Sequence, residues 1–120
     1  MFLRTLFLAT SRLWAAEPAL PPGPFVQVLG VAQDAGHPQA GCYKACCAPA
    51  WLDPSLGHRI ASLAILDPIS GERWLIDASP DFPVQLRDLD QLMPPRSGQG
   101  ISGILLTHAH IGHYTGLVHL

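Results

Sequence analysis

A strand that runs directly into a histidine cluster constrains this chain more than any other feature. Ile101 to Thr107 is almost wholly apolar, and three histidines follow within six residues, in Thr107-His108-Ala109-His110-Ile111-Gly112-His113. An apolar run of that kind reads as a buried, central strand. Side chains alternate in direction along extended backbone, so His108 and His110 point to one side. His113 returns to that side if a helical turn begins after His110. Imidazole is the commonest protein ligand for zinc and similar metals, and a strand end holds ligands on rigid backbone. His108, His110 and His113 are therefore candidate metal ligands. The competing reading is a histidine-rich loop without metal; three histidines at this spacing favour the metal.

The remaining pattern is that of an α/β chain, mainly sheet with one or two helices. Residues 25–31, 59–67 and 73–77 are rich in β-branched and apolar residues and read as strands. The second and third form a hairpin around the turn at 68–72, where Gly71 is free to take positive φ. A helix is expected from Ser79, as cap, and Pro80, in its first turn, to the stop at Pro94-Pro95. Residues 32–55 read as one long loop that holds all three cysteines. Trp51 and Trp74 are assigned to the core, and His58 and His119 to ordinary surface or packing positions. Asp81 is assigned to the helix N-terminus and Asp34 to the solvated loop. Asp77, at a strand end, either serves the turn or accepts a hydrogen bond from a metal-bound histidine and so orients it.

Composition bounds the partners. The chain has 120 residues, 48% apolar and 13% charged, with a net charge of −2. That suits one well-buried domain, and the lack of a basic cluster argues against nucleic acid as a partner. Residues 1–24 are set apart as an export signal, with cleavage near Ala16, followed by the Pro-rich linker 17–24; residues 25–120 form the domain. An export signal implies a periplasmic or secreted protein. A short amphipathic start implies a cytoplasmic one. The apolar stretch is too short and interrupted to span a bilayer.

Cys42, Cys46 and Cys47, with His37 five residues before Cys42, supply three thiolates and an imidazole, the donor set of a structural zinc site. Adjacent cysteines do not readily share one tetrahedral centre. The alternatives are a disulfide from Cys42 to Cys46 or Cys47 in an oxidising compartment, or reduced thiols in the cytoplasm.

Thr107 to His113 resembles the His-x-His-x-Asp-His motif of the metallo-β-lactamase fold, and Trp74-Leu75-Ile76-Asp77 matches the strand that precedes it. The resemblance extends to the branch containing coenzyme PQQ synthesis protein B through Val28-Leu29-Gly30, Gly36 to Cys42, Cys46-Cys47, Leu75 to Asp81 and Thr107 to Leu117. It implies an αββα sandwich about twice this length, of which residues 25–120 supply the N-terminal half, with further ligands later in the fold. It implies a zinc or other divalent transition metal, a small-molecule substrate, and a first metal on His108 and His110 with His113 leaning toward a second. It also implies a cysteine-based structural zinc. Gly112 stands where the motif carries its Asp, which puts the usual second-metal carboxylate in doubt. A mononuclear centre, or a second one completed by Asp34, Asp77 or Asp81, follows from that departure. Three functions are compatible: a metal-dependent hydrolase, inactive without the missing C-terminal half; a PQQ-biosynthesis-related oxidoreductase or carrier; and a metal-binding protein without turnover.

Overall fold

Alternation of small and large apolar residues builds the sheet. In a computed structural model, which describes residues 19–96 and 100–120, four strands lie in the order β1 (Phe25–Gly30), β2 (Ser62–Leu66), β3 (Arg73–Ile76) and β4 (Gly103–Leu105). Residues 1–18, which hold the expected export signal and the start of its linker, lie outside the described residues. Short helices α1 (Ala48–Leu52) and α3 (Ile111–Tyr114) flank the longer α2 (Phe82–Leu92).

Strand direction decides where the chemistry sits. β1 pairs antiparallel with β2, and β2 antiparallel with β3, whereas β3 and β4 are parallel. β1, β3 and β4 therefore run the same way, and the segments that leave them emerge at one edge. Those segments carry Asp34, Asp77 and His108 to His113. Ligand sites of open sheets with parallel strands form at such carboxyl ends.

One face of the sheet is sealed. Ala64 and Leu66 of β2 and Leu75 of β3 are fully buried in a cluster with Leu29, Ala78, Phe82, Leu89 and Met93. Each buried leucine contributes about 2 kcal/mol of transfer free energy. Leu20 packs against the same cluster, so the expected linker joins the fold from there. α2 is tied to the chain ahead of β2 through Ile60. The Asp81 carboxylate accepts the Ile60 N–H at 2.8 Å, and the Gln85 side-chain amide donates to the Ile60 carbonyl at 2.8 Å.

The opposite face holds two cross-sheet rows, Val26–Ile65–Trp74–Gly103 and Val28–Leu63–Ile76–Leu105. Both rows are apolar throughout, and Val26, Val28 and Leu105 are more than half exposed.

Several expectations are corrected. The apolar run at 101–107 yields only three residues of strand, and β4 is the edge of the described sheet, not its centre. Its side chains split between the sealed core (Ile104) and the open face (Leu105). The helix begins at Phe82, with Asp81 rather than Ser79 at the cap position. The Ser79 hydroxyl donates to Gln85 Oε1, and the Asp81 carboxylate is committed to Ile60, so neither side chain caps. The expected loop contains α1 and a 3-10 turn at Pro54–Leu56. Trp51 is 46% exposed and so lies outside the core.

Candidate functional site

Asp77 organises the edge from which the histidines rise. It takes φ 66°, in the left-handed region that Asp and Asn tolerate better than most residues. Its buried carboxylate accepts the Thr107 N–H at 2.8 Å and the Thr107 hydroxyl at 2.8–3.0 Å, and it meets His113 Nδ1 at 2.7 Å. Burial pushes the Asp77 carboxyl up, but the bonds from His113 and Thr107 outweigh it and hold the group below the usual carboxylate value. His113 is raised: the Asp77 hydrogen bond lifts it, burial opposes, and the charges of Asp77 and Asp34 add to the lift.

The same carboxylate acts on His108 through Thr107. The Thr107 hydroxyl spends its proton on Asp77, so at 2.9 Å it accepts from His108 Nδ1–H. That network assigns both tautomers: Nδ1 of His108 and Nδ1 of His113 carry protons, which leaves each Nε2 facing outward. The helical turn expected after His110 is present as α3, and it brings His113 back to within 4.0 Å of His108, ring centroid to ring centroid.

The outward nitrogens meet in pairs. His108 Nε2 lies 3.1 Å from His110 Nδ1, and His113 Nε2 lies 3.0 Å from Asp34 Oδ1. Two ligands at about 2.05 Å from a tetrahedral zinc stand about 3.3 Å apart, so both spacings are of the right size. A 3.8 Å approach of His110 Nδ1 to Asp34 Oδ2 links the pairs. The set does not close on a single point: among the described residues, only the three cysteines have all their ligand atoms within 4.8 Å of one another. A cavity of about 380 Å³ adjoins the cluster, lined by Ser62, Leu63, Ile76, Asp77, Thr107 and His113 among others.

Asp34 is the residue that sequence reasoning left in solvent. Its position follows from β1 sharing the direction of β3 and β4, a relation that becomes visible only once the pairing is known. Asp77 takes the orienting role that was one of its two readings. Asp81 stands apart from the cluster, on Ile60.

The cysteines do come together. Cys46 Sγ and Cys47 Sγ are 3.8 Å apart, and all three are free thiols. That separation equals the edge of a sulfur tetrahedron around zinc at about 2.3 Å, which is about 3.8 Å. Adjacent residues manage this because Cys47 occupies the cap position of α1, where the chain turns. The Cys47 hydrogen bond lowers Cys42, and the Cys42 bond raises Cys47. Two anchors fix the loop: the Trp51 indole N–H donates to the Cys42 carbonyl at 2.7 Å, and His37 Nε2–H donates to the Cys46 carbonyl at 2.8 Å. His37 stacks on His58 and is not part of the sulfur group.

Comparison with known proteins agrees with this architecture. A family model described as the beta-lactamase superfamily domain matches residues 72–120, which include Asp77 and every histidine of the cluster. The chain belongs to the metallo-β-lactamase fold superfamily. Within it, the chain is similar to coenzyme PQQ synthesis protein B of Xanthomonas axonopodis pv. citri, at 37% identity over 94 residues, 76% of this chain and 31% of that protein. The Zn(2+)-bound PqqB from Methylobacterium extorquens superposes with a TM-score of 0.66 at 32% identity, covering 78% of this chain and 35% of that one. A diphosphatase from the PhnP family superposes with a TM-score of 0.62 at 30% identity, covering 80% and 34%. The chain thus spans about a third of the length of the curated relative it matches. Among the described residues, no helix is long and apolar enough to cross a membrane.

Proposed function

We propose that this chain carries the metal-binding edge of a metal-dependent hydrolase of the metallo-β-lactamase fold. The observation that carries the reading is the preset orientation of His108 and His113, both governed by Asp77, with Nε2 of each directed outward. A histidine loop without a ligand has no need of a buried carboxylate that fixes two tautomers. His108 and His110 would hold a zinc-like ion, with His113 beside them. Such an ion supplies Lewis acidity and brings bound water to a pKa of about 7. The chain's own part is to present neutral imidazoles and to keep a small-molecule substrate in the adjoining cavity. The open apolar rows are the seat for the second sheet of the sandwich, which brings the remaining ligands.

The expected outcome of His108→Ala with His110→Ala is loss of one bound metal per chain, with the fold intact by circular dichroism. Both side chains are exposed, so their removal costs little stability. Metal content by elemental analysis decides the matter; an unchanged content rejects the histidine centre.

Cys42, Cys46 and Cys47 hold a separate structural zinc in this reading, with His37 bracing the loop. Cys46→Ser is expected to abolish zinc-dependent thermal stabilisation, which at 100-fold excess over Kd amounts to about 2.7 kcal/mol. Equal stabilisation of wild type and variant in a zinc melt would count against the site. A PQQ-related role, favoured by the names of the similar proteins, shares this structural zinc. It separates from the hydrolase reading in the double histidine variant, where function survives only if the cluster is dispensable. A protein that binds metal without turnover gives full metal content and no hydrolysis once the whole sandwich is assembled.

A further inference from the structure

We infer that Asp34 supplies the carboxylate that the histidine motif lacks at Gly112, pairing with His113 as the acid–imidazole half of the centre. The inference rests on the metal-binding reading above and names a residue for it. A Cβ placed on Gly112 would fall 2.6 Å from Asp34 Cβ and 2.8 Å from Asp34 Cα and Cγ. The Asp34 side chain therefore fills the volume in which a side chain at position 112 would begin. An acid at 34 and an acid at 112 exclude each other sterically, so glycine at 112 is the condition for Asp34 to enter.

The carboxylate that arrives by this route is well placed. Asp34 Oδ1 lies 3.0 Å from His113 Nε2, the nitrogen that Asp77 leaves unprotonated on the ring's outer side, and Oδ2 lies 3.8 Å from His110 Nδ1. Gly112 is buried against Asp34, whereas the Asp34 carboxylate keeps 37% of its surface open toward the cluster. The loop from β1 delivers the group, because β1 ends at the same edge as β3 and β4. The acid has changed its position in the sequence and kept its place beside His113.

Titration of the whole chain with cobalt(II) tests this. Thiolate charge-transfer bands report the cysteines, and d–d bands free of thiolate report the histidine edge. Asp34→Asn, which preserves shape, is expected to weaken cobalt at the histidine edge by about 10-fold to 100-fold and leave the thiolate bands unchanged. Asp34→Gly combined with Gly112→Asp returns the acid to position 112 and is expected to recover most of that loss relative to Asp34→Gly alone. Unchanged histidine-edge affinity in Asp34→Asn overturns the assignment, and so does a double variant no better than Asp34→Gly. If Asp34→Asn fails to fold, the double variant decides alone. Wild-type chain that shows thiolate bands only would instead refute the metal-binding reading itself, along with this inference.

Discussion

Asp77→Ala is expected to destabilise the chain by about 3 kcal/mol or more, the scale of a buried charged group removed from its partners. Three donors lose their acceptor at once: the Thr107 N–H, the Thr107 hydroxyl and His113 Nδ1–H. The backbone adds to the loss, because alanine at φ 66° costs about 1 kcal/mol that Asp largely avoids. A graded series separates the two effects. Asp77→Asn tolerates the dihedral and keeps one acceptor oxygen, Asp77→Gly tolerates the dihedral alone, and Asp77→Ala keeps neither. Urea midpoints in that order confirm the account; equal midpoints for Gly and Ala remove the dihedral from it.

The same residue sets a pH dependence in chelator-treated chain. His113 is raised, so its contribution is full below the unfolded imidazole value, about 6.5, and is lost as pH rises through the higher folded value. Asp77 is lowered, so its contribution is full above the unfolded carboxylate value, about 3.9, and is lost as pH falls through the lower folded value. The pair therefore stabilises most between those limits, and Asp77→Asn is expected to flatten the melting-temperature profile across them.

Gly116→Ala carries the other large effect. A Cβ there would meet the Ser79 carbonyl oxygen at 2.3 Å, Phe82 Cβ at 2.7 Å and the Ala78 carbonyl oxygen at 2.8 Å. Two of those atoms are backbone and cannot rotate away. The Gly116 N–H donates to the Ala78 carbonyl, and the Ala78 N–H donates to the His113 carbonyl, each at 2.8 Å. One added methyl thus forces apart the clamp that seats α3 on the end of β3. A loss of about 3 kcal/mol is expected from overpacking and the broken bonds, with His113 drawn off Asp77 and metal affinity falling in step. Gly23→Ala, whose Cβ would meet nothing within 4 Å, is the control and should change stability by less than about 0.5 kcal/mol. Wild-type stability in Gly116→Ala would show that the clamp yields freely.

The strands, the main helix and the histidine cluster were legible in the sequence because each rests on local patterning. Val28-Leu29, Leu63 to Leu66 and Trp74 to Ile76 announce their strands by composition alone. Asp34 was illegible for the opposite reason: nothing in the loop around it distinguishes it from a solvated acid, and its role depends on the relative direction of strands far apart in the chain. β4 misled because a uniformly apolar run does not reveal whether its two faces meet one layer or two. Asp81 misled because an acid near a helix start is normally read as serving that helix, whereas here it is taken by Ile60. The adjacent cysteines were judged by extended geometry, and the turn at Cys47 was not visible from spacing.

His113 and Asp34 stand 79 positions apart. In kinetic terms this contact is highly non-local, and forming it requires closure of a loop that includes most of the domain. β1, β2, β3 and β4 must all be in register before the acid reaches the imidazole. Assembly of the histidine edge is therefore expected late in folding, and hydrogen exchange at Ala78 and Gly116 should gain protection only after the β1–β2–β3 meander has formed.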